Sequence, residues 1–353
     1  MTPACTISVE GSDLTALIQQ RLISLEITDN TAEQADSLTI ELADCDRKIA
    51  LPDRGGVISV ALGYKGNMRD MGKFILDSVS IGGPPDRVTL GATAAPFTAV
   101  GNFKPFQTRK SRSFDDITLG DLVRTIASSS GLTAAVSPTF DSVKLSHVDQ
   151  TNESDMNLLT RLARDHGAVM KPTAGHLVFA KKGAGKSVAG KPLGKITIDR
   201  SECSSYSAEW SKRANYSKVK TKSHNVETGE TDQYEASDGD DDDGPEYEHP
   251  TLYSDAESAQ RGAASILEQN SRLSETINLT LPGRPDIIAE GIITVTGFKE
   301  RMNGDWLIKA VQHNLSTSGF TTTIQGETSS SKGEKAAKAK KAKKENRAFR
   351  ESN

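Results

Sequence analysis

The last part of the chain constrains the fold most, because residues 282–298 and 306–328 have the pattern of short β-strands separated by turn residues. Apolar and polar side chains alternate there, and successive side chains of a strand point to opposite faces of a sheet. Neither stretch contains a nucleophile motif, a metal-ligand cluster or a phosphate-binding loop. This ending predicts a structural protein rather than an enzyme.

The start of the chain shows a similar pattern. Apolar side chains recur at every second position in six candidate strands, which begin near Ile7, Leu25, Leu38, Val57, Phe74 and Val88. Gly, Pro, Asn and Asp residues lie between several of these strands, and such residues favour turns. Many short strands at this spacing predict a small β-barrel or sandwich, which we place in residues 1–96.

The middle of the chain changes to a helical period. Between residues 119 and 126, apolar side chains recur at positions i, i+3, i+4 and i+7, which indicates an amphipathic helix with Thr118 as its N-cap. A second helix is predicted over residues 154–167, and a strand over residues 176–182. Together these elements predict a small α/β insert domain over residues 97–185.

Strand patterns return in the second half and predict a second β-barrel domain over residues 186–328. Within it we expect an acidic loop, residues 225–250, which includes the run Asp238–Asp243. We also expect a helix over residues 254–270 that opens with a capping box at Ser254. The two β units are similar in size, but no repeat of residues between them is evident, so a duplication is only a structural hypothesis.

A basic low-complexity tail, residues 329–353, ends the chain, and we expect disorder there or a helix formed only against a partner. Residues 332–353 carry nine of the 43 Lys and Arg residues and three of the 47 Asp and Glu residues, so the preceding body has a formal charge of −10. An acidic body argues against sequence-specific DNA binding, since phosphate contacts need clustered cations.

The three cysteines, Cys5, Cys45 and Cys203, are far apart and odd in number, which predicts reduced thiols in a protein made in a cytoplasm. The first residues lack the basic and apolar regions of a secretory signal, and no apolar run reaches transmembrane length. We therefore expect a protein with no membrane partner, which stays soluble unless an assembly carries it elsewhere.

Two motifs match known ligand-binding loops incompletely. Gly183–Ser187 resembles part of a phosphate-binding loop, but Ala180 stands where the first Gly is required, and no helix is predicted to follow. If an EF-hand loop started at Asp238, the position that requires Gly would hold Asp243, and the position that requires Glu would hold His249. The preferred interpretations are a flexible basic loop and a solvated acidic loop.

No catalytic, cofactor-binding or metal-binding residue is predicted, so we expect no enzyme and no cofactor. The six histidines lack metal-binding spacing, and neither a GxSxG elbow nor a Cys with a nearby His occurs. His166 is expected beside a helix end, where a positive charge would complement the dipole, and His313 in a strand as a packing or hydrogen-bonding residue. Whether the fold brings two carboxylates together as a catalytic pair stays open.

Four stretches of the chain resemble the phage late control protein D family. These proteins are the baseplate hubs of contractile tails and related pyocins, and the N-terminal part of type VI secretion spike proteins is related to them. The stretches are ESDMNLLTRLARDHG (153–167), ANYSKV (214–219), PGRPDII (282–288) and WLIKAVQHNL (306–315) with its continuation to Thr328. Each is unspecific alone, and their combination carries the resemblance.

The resemblance implies a mainly β chain with an α+β insert and two tube-like β-barrel domains. Three chains would form a homotrimer with six barrels in a pseudo-sixfold ring, a symmetry adaptor between a hexameric tail tube and a trimeric spike. The implied partners are the tail tube protein, the spike protein and other baseplate proteins. The implied location is the tail baseplate of a virion, after synthesis in the host bacterial cytoplasm.

Several features do not follow from the resemblance. No OB-fold or β-helix pattern follows Thr328, so we expect the spike to be a separate chain. The roles of the acidic loop and of Lys332–Arg350 stay open, including a contact of the tail with the tape-measure protein. Also open are whether the particle is a phage or a phage-derived injection device, and whether trimerisation needs partners. The acidic body suggests a negatively charged lumen to which DNA does not adhere.

Two alternative functions remain. A cell-wall hydrolase of the tail tip would need a catalytic carboxylate or a metal set in a cleft, and zymography on cell-wall material would detect it. A nucleic-acid-binding module would act through the charge of Lys332–Arg350. A gel shift that compares the full chain with one ending at Thr328 would distinguish it.

Overall fold

The computed structural model describes residues 2–31, 35–94, 106–173, 175–183, 195–211, 216–224, 229, 231–237, 244–253, 255–273 and 275–328. Strands make up 57% of the structure and helices 19%, so the prediction of a mainly β chain is confirmed. The predicted acidic run Asp238–Asp243, the capping residue Ser254, most of the Gly183–Ser187 motif and the basic tail lie outside the described residues. None of the described helices has both the length and the apolar character needed to cross a membrane.

Within its described residues, the first β unit contains seven strands and one short helix, α1. The elements are β1 (Pro3–Val9), β2 (Ser12–Asp13), α1 (Thr15–Gln19), β3 (Leu22–Asn30), β4 (Ser37–Ala43), β5 (Val57–Tyr64), β6 (Asn67–Gly82) and β7 (Arg87–Ala94). Every second side chain of the longer strands points into one apolar core, as the period of two predicts. Leu315 and Phe320, from the far end of the chain, complete this core.

The insert has an apolar core of its own, formed by residues between Phe106 and Phe179. Its elements are β8 (Arg109–Thr118), α2 (Leu119–Ser129), β9 (Thr133–Val136), α3 (Pro138–Asp141), β10 (Lys144–Ser154), α4 (Asp155–Asp165), β11 (Ala168–Thr173) and β12 (His176–Lys181). The predicted N-cap Thr118 accepts a hydrogen bond from the Asp121 N–H, and the second helix starts at its predicted place, where Ser154 accepts one from the Asn157 N–H.

As far as the structure describes it, the second β unit contains six strands around a third apolar core, which includes the fully buried Trp306. They are β13 (Lys195–Asp199), β14 (Ser205–Trp210), β18 (Glu275–Pro282), β19 (Ile292–Thr296), β20 (Gly304–Ser316) and β21 (Gly319–Thr328). A short 3-10 helix, Arg200–Glu202, connects the first two of these strands.

A small α/β layer is inserted between β14 and β18, and two of its strands lie wholly or partly in residues 225–250, where the sequence predicted an acidic loop. It consists of β15 (Lys218–His224), β16 (Thr231–Ser237), β17 (Glu246–Tyr253) and α5 (Ala256–Leu273). The hydrogen bond at the start of α5 runs from the Ser258 N–H to Asp255 Oδ1 at 2.7 Å. Gly262 of this helix makes room for the Tyr253 ring, because a Cβ atom there would lie 2.3 Å from the Tyr253 hydroxyl.

One continuous sheet joins the two β units. Its strand order is β14-β18-β21-β20-β3-β4-β7-β6-β5-β1-β2, and β19 and β13 extend it from β20. The link is the antiparallel pairing of β3 with β20, from Ala310↔Asn30 to Ser316↔Ser24. Among the described strands, no pairing closes either unit into a barrel.

The two β units share one topology. When the six main strands of each unit are counted along the chain, both units have the order 2-3-6-5-4-1, namely β3-β4-β7-β6-β5-β1 and β14-β18-β21-β20-β19-β13. One difference is that β1 pairs antiparallel with β5, whereas β13 pairs parallel with β19. The chain therefore carries the same strand order twice, with one edge pairing of opposite direction.

Candidate functional site: the seam between the two β units

The functional candidate is the seam where β3 and β20 meet, because it sets the position of one β unit against the other. β20 reaches both neighbours through a bulge between Ile308 and Ala310: residues before the bulge pair with β19, and residues after it pair with β3. Leu25 and Ile27 of β3 are buried opposite Leu315 and His313 of β20. Both units therefore contribute side chains to one continuous interior.

The turn at residues 282–288 clamps this seam. The Gly283 N–H donates a hydrogen bond to the Phe320 carbonyl at 2.8 Å, and the Tyr64 hydroxyl of the first unit donates to the Gly283 carbonyl at 3.0 Å. The Phe320 ring lies directly against Gly283, since a Cβ atom there would be 1.9 Å from Phe320 Cδ1. The glycine in this turn is thus required by a close approach of a ring.

A buried hydrogen-bond chain connects the turn to β20 and β21. The Arg284 N–H donates to Thr322 Oγ1 at 2.8 Å, so the Thr322 hydroxyl can donate its own proton to His313 Nδ1 at 3.0 Å. His313 Nε2 then carries the ring proton and donates to the Ile287 carbonyl at 3.3 Å. Burial lowers the pKa of His313 to about 4, which keeps the ring neutral. The prediction of a packing and hydrogen-bonding role is confirmed.

Lys171 of the insert ties three parts of the chain together. Its Nζ atom lies 3.0 Å from Asp29 Oδ1 and 2.9 Å from Asp36 Oδ1, and it also donates to the Asn30 carbonyl. Asp29 uses its other oxygen to accept from the Ala289 N–H of the second β unit at 2.8 Å. The insert, the first unit and the second unit therefore meet at one ion cluster beside the seam.

The side chains of Lys171, Asp29 and Asp36 are partly buried, so the charges in this cluster affect one another strongly. Burial by itself lowers the pKa of Lys171, but the charges of Asp29 and Asp36 outweigh it and raise the pKa, so the ammonium stays charged. Burial raises the pKa of Asp36, and the nearby Lys171 charge opposes that rise. Removing the lysine would leave two carboxylates close together without their cation.

The stretch 153–167 has a local structural role in the insert. The fully buried Asp155 accepts hydrogen bonds from Lys110, from Arg112 Nη2 at 2.6 Å and from Gln150 Nε2 at 2.9 Å. These bonds fix the start of α4 against the paired strands β8 and β10. The cluster is satisfied within the insert and does not reach the seam.

A cavity of about 340 Å³ lies between the insert and the small α/β layer, lined by side chains that include His147, Asp165, His166 and Tyr253. Burial raises the pKa of Asp165 to about 6 and lowers that of His166 to about 4. His166 is therefore neutral at pH 7 and places no positive charge at the end of α4, contrary to the prediction. Its Nδ1 atom and the Tyr253 hydroxyl are buried and have no hydrogen-bond partner among the described residues.

The sequence predicted no catalytic, cofactor-binding or metal-binding residue, and that prediction stands untested. In the residues that the structure describes, no three or more His, Cys, Asp or Glu side chains are grouped so that they could hold a metal ion. Among the predicted stretches, residues 282–288 and 306–328 come together at the seam, whereas residues 153–167 lie in the insert.

A short repeat across the two β units was missed in the sequence. Residues 56–60 (GVISV) and 291–295 (GIITV) begin equivalent strands, and residues 72–79 (GKFILDSV) and 304–311 (GDWLIKAV) belong to the equivalent long strands. No residue-level repeat was evident from the sequence alone, so this short one went undetected. An alignment of these two regions alone would have found it, but loops of different length separate the matching segments.

A family model described as phage tail baseplate hub (GPD) matches residues 100–319. A probable baseplate hub protein of Escherichia phage 186 is 32% identical over 371 aligned residues, which cover 93% of each chain. A tail protein from Neisseria meningitidis MC58 shares the fold, with a TM-score of 0.69 at 15% identity over 93% of this chain and 97% of that one. An E. coli type VI secretion component, similar in structure to T4 bacteriophage tail proteins, matches with a TM-score of 0.57 at 11% identity over 91% of this chain and 76% of that one.

Proposed function

The chain belongs to the phage tail baseplate hub family, and we propose that within the baseplate it reconciles threefold with sixfold symmetry. It is a structural protein of the phage tail, and its relatives in fold include a type VI secretion component. In the proposed assembly, three copies form a ring of six tube-like β units. One face of the ring would then meet a hexameric tail tube, and the other a trimeric spike.

One observation carries this proposal: a single chain presents two β units with the same strand order. A cyclic ring closes only when the angle between neighbouring units fits its symmetry. Two similar units per chain allow a trimer to offer six similar surfaces. The seam, with its clamped turn and the Lys171 cluster, holds the two units of one chain at a defined angle.

We propose the domain division 1–96, 97–185 and 186–328, followed by the basic tail 329–353. The three separate apolar cores support it, because each draws mainly on one of these ranges. Closure of the β units into tube-like barrels belongs to the same proposal, and contacts with neighbouring copies would supply the missing strand pairings.

The proposed partners are two further copies of this chain, the tail tube protein, a trimeric spike protein and other baseplate proteins. The basic tail is proposed to contact the tape-measure protein, where its positive charge would complement an acidic surface. The proposed site of synthesis is the host bacterial cytoplasm, and the chain acts as part of the virion.

Native mass spectrometry of the protein, alone and with the candidate spike protein, tests this proposal. We expect a complex with three copies of this chain and three spike chains, even if the chain alone is a monomer, because binding can drive trimerisation. A stable complex with two, four or six copies of this chain would overturn it.

A further inference from the structure

Two of the strand edges left unpaired in the part of the chain that the structure describes belong to the strands of the two β units that matter for the seam. β14 pairs only with β18, and residues 77–82 of β6 pair only with β7. Each edge carries an exposed apolar side chain: Tyr206 on β14 is 46% exposed, and Ile81 on β6 is 67% exposed. Open edges of this kind can accept a strand from another chain.

The end of β6 is equivalent to the part of β20 that forms the seam. Leu76 exchanges backbone hydrogen bonds with the Gly55–Gly56 turn at 2.8 and 2.9 Å, and Ile308 does the same with the Glu290–Gly291 turn at 3.0 and 2.9 Å. A bulge follows at once in both strands.

Ile81 follows Leu76 at the same spacing at which His313 follows Ile308. Ile81 therefore occupies in β6 the position that His313 occupies in β20. His313 is completely buried because β3 covers it, whereas Ile81 has no covering strand among the described residues.

β14 is equivalent to β3 by the same reasoning. β3 pairs with β4 and β14 pairs with β18, and both β4 and β18 are the third main strands of their units. Ile27 lies opposite Leu38 of β4, and Ala208 lies opposite Ile277 of β18. Leu38 and Ile277 in turn face equivalent residues of β7 and β21. Ala208 therefore corresponds to Ile27, the residue that pairs with His313 in the seam.

The two open edges are thus the two halves of a second seam, separated on one molecule. We propose that β14 of one chain pairs antiparallel with residues 79–82 of β6 in a second copy of this chain, in the register Ala208↔Ile81. This inference rests on the proposed function and specifies its contact between copies. The pairing repeats within the assembly the geometry that β3 and β20 already adopt within one chain.

The side chains fit this arrangement. In the proposed register, Trp210 lies opposite Val79 and Ala208 opposite Ile81, so apolar residues meet on the inner face. Glu209 lies opposite Ser80 on the outer face. Each chain has one edge of each kind, so the contact is head-to-tail and forms a ring when the angle closes.

Cysteine cross-linking tests the register, because opposite positions of paired antiparallel strands lie within reach of a disulfide. Tail particles are assembled with the full-length chain carrying Ile81→Cys and Ala208→Cys, in a Cys45→Ser background since Cys45 is exposed. Oxidised glutathione is then added as the oxidant. We expect covalent dimers and trimers on a non-reducing gel. The matched control pairs Ile81→Cys with Glu209→Cys, which is one position out of register and on the opposite face.

A charge substitution provides the second measurement. Ile81→Lys should leave the isolated chain folded, because Ile81 is already exposed, but should weaken assembly by about tenfold or more per contact through lost apolar burial. Leu17→Lys is the matched control, since Leu17 is 66% exposed in the same β unit and lies on α1, not on either edge strand. We expect Leu17→Lys to assemble as the unmodified chain does.

The outcomes separate this inference from the function on which it rests. Particles with three copies that show no cross-link in this register, or that tolerate Ile81→Lys as well as Leu17→Lys, overturn the pairing and leave the adaptor role intact. Particles that contain a different number of copies overturn the adaptor role and the pairing together.

Discussion

Replacing His313 by glutamine should make the second β unit less sensitive to acid. Glutamine can accept a hydrogen bond from the Thr322 hydroxyl and donate one to the Ile287 carbonyl, which are the two bonds that the neutral imidazole makes. Unlike histidine, it takes up no proton. The comparison therefore isolates the protonation of one buried ring at the seam.

The magnitude follows from two pKa values. Burial lowers the pKa of His313 to about 4 in the folded protein, whereas a histidine in an unfolded chain has a pKa of about 6.5. As the pH falls, the unfolded state takes up its proton first, so stability that is fully present above pH 6.5 is lost between about pH 6.5 and pH 4. At pH 5 the loss is about 2 kcal/mol, because each pH unit below 6.5 costs about 1.4 kcal/mol.

Denaturant unfolding at pH 8 and pH 5 measures this loss. Both tryptophans, Trp210 and Trp306, lie in the second β unit, so their fluorescence follows the unit that contains His313. The free energy of unfolding of the natural protein minus that of His313→Gln should fall by about 2 kcal/mol from pH 8 to pH 5. A difference that does not change with pH would refute the reasoning.

An exposed histidine supplies a control of opposite sign. Hydrogen bonds to Asp115 and Asp149 raise the pKa of His147, so its contribution to stability is present at low pH and is lost as the pH rises. The natural protein should therefore gain stability relative to His147→Gln as the pH falls. The two variants together distinguish the effect of burial from a general effect of acid.

Two further substitutions test the seam. Gly283→Ala should lower the free energy of unfolding by about 1–3 kcal/mol, because the new methyl group would overlap the buried Phe320 ring. The control Gly56→Ala, whose methyl group would lie 3.6 Å from its nearest neighbour, should change the free energy of unfolding by less than about 1 kcal/mol. Equal effects of the two substitutions in thermal unfolding would contradict the role of Gly283 at the seam. Lys171→Met should lower the free energy of unfolding by about 1–3 kcal/mol, because it leaves Asp29 and Asp36 without their cation. Adding Asp36→Asn should restore part of that free energy. If it restores none, the unpaired charges are not the cause of the loss.

Local features of this fold were predictable from the sequence. The period of two identified most strands of both β units, although not β14, and the N-cap at Thr118 marked the start of α2, because each signal lies within a few residues of its effect. The repeat between residues 56–60 and 291–295 was also present in the sequence, although unequal loops concealed it.

The seam itself could not be predicted from the sequence in the same way. A period of two tells which side chains point inward but not which strand lies alongside, so the pairing of Ile27 with His313 is invisible in the sequence. His166 gives a similar lesson: its place at a helix end suggested a positive charge, but burial by distant residues keeps it neutral.

A cryo-electron microscopy reconstruction of the tail baseplate, made without imposed symmetry, tests the central claim most directly. The account predicts three copies of this chain in one ring, with the first and second β units alternating in six positions and β14 of each copy beside β6 of the next. Six copies in the ring, or a ring in which only one β unit of each chain takes part, would contradict it.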